Sequence, residues 1–162
     1  MCWMCDNPEM TQTDALADME RMVRRYGWAI QYVEGDRYRA PWAYTVGLTA
    51  CGLPELVVTG LSSKRVGPYL NGLGAHLLHA EPPAPGEQLA LGGLPMTEIV
   101  QVSTPDAHLD VAVALFGPDV RALQLVWRDD RGKWPWDKGF RSGRWPQPVL
   151  GPRTLSVGRG TG

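Results

Sequence analysis

Two stretches, Trp42-Ala-Tyr-Thr-Val-Gly-Leu48 and Leu53-Pro-Glu-Leu-Val-Val-Thr-Gly60, decide the fold class of this sequence. Both are rich in β-branched and apolar residues, and Gly52 and Pro54 interrupt the chain between them. The pattern predicts one strand over residues 42–48 and a short, buried strand over residues 56–59. A β-sheet is therefore expected to organise the core.

Helical patterns lie outward from these strands on both sides. Residues 13–26 carry one apolar stripe, with acidic residues near its start and basic residues near its end. Ser62 or Ser63 is expected to cap a second helix, and Asp106 to open a third that stops at Gly117. The sequence therefore predicts about three helices.

The remaining apolar runs predict strands at 28–33, 88–91, 97–103 and 122–127. Helices and strands alternate only loosely, which favours an α+β fold. We expect a mixed, mostly antiparallel sheet with about three helices packed on one side of it. Residues 1–152 are expected to form a single domain, and residues 153–162 a flexible C-terminal tail.

Charge is distributed unevenly along the chain, although the net charge of its 162 residues is only −1. Residues 1–118 contain 7 Lys/Arg and 13 Asp/Glu, whereas residues 119–162 contain 9 and 4. The basic C-terminal part can meet an anionic partner or pack on its own acidic domain. No secretory signal and no membrane-spanning apolar run is visible, so a cytoplasmic protein without membrane association is expected.

The N-terminal pair Cys2 and Cys5 is the sharpest local motif. Two cysteines at this spacing can share a metal ion, exchange a disulfide, or stay reduced as a structural pair. A zinc site would need two further ligands, because structural zinc is tetrahedral. The candidates for them are His76, His79, Cys51 and His108.

Polar and aromatic residues suggest a second site, a cleft for a small molecule. Tyr44 and Glu55 lie on or beside successive strands and are candidates for an acid and a base. Trp134 and Trp136 bracket Pro135 and can stack a flat ligand or form a lid over the core, with Asp129 or Asp137 binding a polar edge of the ligand. No known nucleophile, dinucleotide or phosphate-loop motif accompanies them.

Several motifs follow one another in a recognisable order: Cys2-x-x-Cys5, Gly27-Trp-Ala29, Trp42 to Leu48, Leu53 to Gly60, Leu70-Asn71, Gln124 to Asp137, and Gln147 to Gly151. This order resembles domain-of-unknown-function family 4262, and the cysteine pair resembles its actinobacterial branch. The resemblance covers about residues 2–152. It implies a small bacterial protein from a family with no agreed activity or catalytic residues.

The resemblance also implies that certain positions matter, because they match the family's motifs: Tyr44, Glu55, Asn71, Gln124, Trp127, Asp129, Gly132, Pro135, Trp136 and Gln147. Asn71 and Gln124 thereby join the candidate cleft. Many relatives have His where this chain has Cys51, and both residues are zinc ligands.

Three functions follow from these features. The first is a ligand-binding or regulatory module with a small-molecule or protein partner, which a zinc ion at the cysteine pair would stabilise. The second is a small-molecule enzyme whose cleft lies between Tyr44, Glu55 and the Trp134–Trp136 loop. The third is a nucleic-acid binder that uses the basic, Trp-rich C-terminal segment.

Overall fold

A computed structural model describes residues 12–141 and 143–154 of the chain. The helices are α1 (Gln12–Tyr26), α2 (Ser63–Leu77), α3 (Pro105–His108) and α4 (Asp110–Phe116), and a 3₁₀ turn spans Leu48–Cys51. The strands are β1 (Ala29–Val33), β2 (Trp42–Val46), β3 (Glu55–Thr59), β4 (Gln88–Leu89), β5 (Thr97–Gln101) and β6 (Ala122–Trp127). The predicted elements are all present with small shifts at their ends, except that Leu109 divides the third helix into two short ones.

The strands form one six-stranded sheet in the order β1-β2-β3-β6-β5-β4. All neighbours are antiparallel except β3 and β6, which run parallel with Glu55 opposite Ala122 and Val57 opposite Gln124. Every residue of β3 and β6 is buried, as expected for central strands that are covered on both faces. The α+β class with a mixed, mostly antiparallel sheet is confirmed.

Helices cover both faces of the sheet, so the expectation that they would pack on one side was wrong. Leu56 and Val58 face α2, whereas Val57 faces the cluster that contains Met19 of α1 and Ala112 of α4. Successive side chains of a strand point to opposite faces, so three consecutive apolar residues require cover on both. The unbroken apolar run in β3 was the signal for this arrangement.

The end of the described chain also covers the sheet. The Ser103 N–H donates to the Leu150 carbonyl at 3.0 Å, and the Thr59 hydroxyl donates to the Pro148 carbonyl at 2.7 Å. Leu150 packs against the cluster that contains Met19 of α1 and Ala112 of α4, so residues 147–153 dock on that face of the sheet. Within the described ranges no helix is long and apolar enough to span a membrane.

Candidate functional site

The carboxyl ends of β3 and β6 lie side by side at one end of the central strands, because these two strands are adjacent and parallel. The sheet order reverses here, since the chain leaves β3 for the far edge and returns at β6. Gly60 leaves β3 with φ +77°, and a Cβ there would lie 2.8 Å from the Pro146 carbonyl oxygen. In open α/β sheets, ligands bind at the carboxyl ends of strands beside such a reversal. The carboxyl ends of β3 and β6 are therefore the expected position of a site.

Asp129 organises the loop that follows β6. Its Oδ1 accepts the backbone N–H groups of Arg131 and Lys133, both at 2.8 Å, and its Oδ2 accepts that of Arg141 at 2.9 Å. Burial acts to raise the pKa of Asp129, but these N–H groups and the charge of Arg131 outweigh it and hold the pKa below its usual value. One buried carboxylate thus fixes the backbone of three residues whose cationic side chains are exposed.

Trp134 and Trp136 lie against each other in the same loop. Their ring centroids are 5.4 Å apart and their planes differ by 12°. The guanidinium of Arg128 lies 5.6 Å from the Trp134 ring, and that of Arg153 lies 4.1 Å from the Trp136 ring. Both tryptophans are half-buried, and each lies against the guanidinium of an arginine.

Glu98 and Arg153 form a pair that the sequence analysis missed. Arg153 Nε donates to one carboxylate oxygen of Glu98 at 2.8 Å, and a second nitrogen donates to the other at 3.0 Å. Arg153 is also the first residue of the predicted tail, so the docked chain extends at least to this position. A charged residue inside the apolar run of β5 was a signal for a buried partner, but nothing local pointed to Arg153.

Gln124 and Gln147 bind the C-terminal segment to β6. Gln124 donates to the Pro148 carbonyl at 2.8 Å and accepts the Leu150 N–H at 2.7 Å. Gln147 exchanges two hydrogen bonds with the backbone of Trp127, each 2.9 Å long. Both amide side chains are buried, and their donors and acceptors are used inside the protein.

The start of α2 also lies at the carboxyl ends of β3 and β6. The Arg65 guanidinium lies 5.8 Å from the Trp127 ring, whose centroid is 5.6 Å from that of Phe140. Tyr69, one turn further along α2, is buried, and its hydroxyl has no hydrogen-bond partner among the described residues. Neither Arg65 nor Tyr69 belongs to a motif that predicts a site.

Glu55 lies at the opposite, amino end of β3. Its carboxylate accepts the Thr45 hydroxyl at 2.8 Å, the Leu48 N–H at 3.1 Å and the Thr49 N–H at 2.8 Å. The Gly47 N–H and the Thr49 hydroxyl also donate to it. The side chain is fully buried, so its contacts hold the turn after β2.

Tyr44 and Asn71 lie on opposite faces of the sheet. The Tyr44 hydroxyl is buried and accepts the Val111 N–H at 3.0 Å. Asn71 is exposed on α2 and accepts the indole N–H of Trp28 at 3.1 Å.

The structure brings only part of the candidate cleft together. Asp129, Trp134 and Trp136 lie in one loop, and Gln124 binds the C-terminal segment beside that loop. Tyr44, Glu55 and Asn71 lie elsewhere. Ligand binding by these residues stays a prediction.

The candidate metal ligands are dispersed among the described residues. His76, His79 and Cys51 are exposed, and the His108 ring packs edge-on against Trp42 at 6.4 Å. No group of three or more His, Cys, Asp or Glu in the described ranges is arranged to hold a metal ion. Cys2 and Cys5 lie outside those ranges.

Comparison with known proteins identifies a family model that matches the larger part of the chain. The model of the family described as "Domain of unknown function (DUF4262)" matches residues 22–141. Searches among curated proteins and among solved structures found no match. The matched region contains α2, the whole sheet and the Asp129 loop, and it covers well over half of the 162 residues. The chain therefore belongs to the DUF4262 family.

Proposed function

We propose that this protein is a ligand-binding module for a small anionic molecule, and that the ligand binds the loop formed by residues 128–141. The observation that carries the proposal is the anchoring of Arg131, Lys133 and Arg141 by the single carboxylate of Asp129. A flexible basic loop would have to lose conformational entropy on binding. A loop that is already held by three hydrogen bonds loses less.

The aromatic pair supports the same function. Cation–π contacts hold Arg128 over Trp134 and Arg153 over Trp136, which limits the positions of two more guanidinium groups. Glu98 neutralises Arg153, whereas no carboxylate of the described residues forms an ion pair with Arg128. The net positive charge of residues 119–162 attracts anions, and the ordered loop selects those anions whose shape fits its fixed backbone.

The test compares two neighbouring aspartates. Pyrophosphate, AMP and a single-stranded oligonucleotide are titrated into the protein at constant ionic strength, with tryptophan fluorescence and calorimetry as readouts. We expect pyrophosphate or AMP to bind, and Asp129→Asn to weaken that binding about tenfold, since an amide cannot accept all three N–H groups. Asp130→Asn is the matched control, because it removes the same charge from an exposed position.

The two variants separate geometry from charge. Loss of a negative charge alone would strengthen anion binding in both variants, so equal behaviour would show that the loop is not prearranged. Absence of binding by any probe at low salt would refute the function. Binding of the oligonucleotide alone, with a steep dependence on salt, would instead indicate a nucleic-acid binder.

Zinc binding at Cys2 and Cys5 is a separate proposal that concerns residues outside the described ranges. Its support is the spacing of the two cysteines. The metal content of untagged, reduced protein is compared with that of a Cys2→Ser/Cys5→Ser variant. About one zinc per chain that disappears in the variant is the expected result. A metal-free wild-type protein would contradict it.

A further inference from the structure

The first turn of α2 lies at the carboxyl end of β3 and is not capped in the expected way. Ser62 precedes the helix in an extended conformation (φ −69°, ψ 161°), and its side chain makes no capping hydrogen bond. The N–H groups of Ser63 and Lys64 have no acceptor inside a helix that begins at Ser63. Ser63, Lys64 and Arg65 are exposed, so this first turn is open to solvent.

Tyr69 is a second and independent feature of the same place. Its side chain is 2% exposed, and its buried hydroxyl finds no hydrogen-bond partner in residues 12–141 and 143–154. Side chains on a helix lean toward its N-terminus, which directs the Tyr69 hydroxyl toward the first turn of α2. Arg65 lies one helical turn before Tyr69, on the same side of α2. Burial raises the pKa of Tyr69, and the charge of Arg65 partly opposes this. Buried hydroxyl groups without a partner are uncommon in folded proteins.

Arg65 supplies the charge at this position. Its guanidinium lies 5.8 Å from the Trp127 ring, and in the described part of the chain no carboxylate forms an ion pair with it. Backbone N–H groups at a helix start, a free guanidinium and a hydroxyl donor all favour the same type of ligand, an oxyanion. A phosphate group offers such donors both negative charge and three or more acceptor oxygens.

We propose that the first turn of α2 is a phosphate-binding site, formed by the N–H groups of Ser63 and Lys64, the guanidinium of Arg65 and the hydroxyl of Tyr69. The ligand class is a phosphate group carried by a small molecule. This site uses none of the residues of the 128–141 loop, so it does not depend on the proposed function. Trp127 lies between the two regions, because its ring contacts both Arg65 of α2 and Phe140 of the loop.

The experiment titrates inorganic phosphate into the whole protein by calorimetry at constant ionic strength, with sulfate and acetate in parallel. We expect phosphate to bind more tightly than acetate. Arg65→Gln should weaken phosphate binding about tenfold, because it removes a charged, bidentate donor. Tyr69→Phe should weaken it about threefold to tenfold while leaving the midpoint of urea unfolding unchanged in the absence of phosphate.

Arg25→Gln is the matched control. Arg25 is an exposed arginine at the end of α1, on the side of the molecule where the amino ends of β3 and β6 lie. An equal loss in Arg25→Gln and Arg65→Gln would show only diffuse charge attraction and would overturn the proposal. So would equal binding of acetate and phosphate, absence of phosphate binding, or unchanged binding in Tyr69→Phe. Asp129→Asn should keep phosphate binding at α2, which separates this site from the loop.

Discussion

The two ends of the parallel pair β3 and β6 use polar residues in opposite ways. At the amino end, five donors surround the Glu55 carboxylate, and all of them come from Thr45, Gly47, Leu48 and Thr49. At the carboxyl end, several cations are exposed, and the Tyr69 hydroxyl and Arg128 Nε are buried with no partner among the described residues. A polar group that is satisfied inside the protein stabilises the fold, whereas a buried donor that lacks a partner costs free energy and is a candidate for a contact that the fold itself does not supply.

Replacing Glu55 should have the largest effect. It would test whether the polar contacts at the amino ends of β3 and β6 stabilise the fold. In Glu55→Gln, the new amide would face N–H and hydroxyl donors, leaving several of them buried without an acceptor. We expect the free energy of unfolding to fall by about 3–5 kcal/mol. Urea denaturation measures it, with the exposed Glu81→Gln as control. A loss no larger than that of the control would show that the carboxylate does not hold this turn.

Tyr44 and Tyr69 provide a sharper test, because both are buried tyrosines and only Tyr44 has a hydroxyl partner within the described part of the chain. Tyr44→Phe removes the acceptor of the Val111 N–H and should lower the free energy of unfolding by about 1–2 kcal/mol. Tyr69→Phe removes a hydroxyl without a partner and should leave it nearly unchanged. Equal losses in the two variants would remove the distinction between the two ends of the sheet.

Tyr44 also predicts how the stability of the protein depends on pH. Burial, opposed by the Val111 hydrogen bond and aided by the charge of Asp110, raises the pKa of Tyr44 from 10.0 to about 12. Because the folded pKa lies above the unfolded one, this contribution is complete below pH 10 and is lost as the pH rises through about 12. Urea midpoints between pH 9 and pH 12 should therefore fall less steeply for Tyr44→Phe than for the wild type. Parallel curves would contradict this assignment.

Asn71 should show the smallest effect. It accepts the Trp28 indole N–H, but it is exposed and lies inside a helix, where alanine has the higher propensity. Asn71→Ala should change the free energy of unfolding by less than about 0.5 kcal/mol. Ligand titrations at the 128–141 loop and at the start of α2 should also be unchanged. Loss of binding in this variant would extend the functional region onto the outer face of α2.

Most of the secondary structure was predictable because it depends on local patterns. The apolar stripe of α1 and the β-branched runs of β3 and β6 indicate a helix and two strands without reference to the rest of the chain. The capping of α2 was predicted less well. Ser62 does occupy the position before the helix, but its hydroxyl does not bond to the first turn. Residue type alone does not determine that geometry.

The candidate site was predictable only in part. The Trp134–Trp136 loop was recognised from its composition, and Asp129 from its position in that loop. Tyr44 and Glu55 were chosen because their side chains are often catalytic, and the structure places both in internal hydrogen bonds. Arg65 and Tyr69 carry no sequence signal of their own, because a missing hydrogen-bond partner is visible only in three dimensions.

The sequence by itself determined the family, the α+β class, the order of the main elements and the basic character of the C-terminal part. Tertiary structure alone decided that helices cover both faces, that Glu98 meets Arg153 and that the start of α2 lies beside Trp127. Periodicity and composition act over a few neighbouring residues. The pairing of β3 with β6 and the docking of residues 147–153 join segments that are far apart in the chain, and only the folded backbone brings their side chains together.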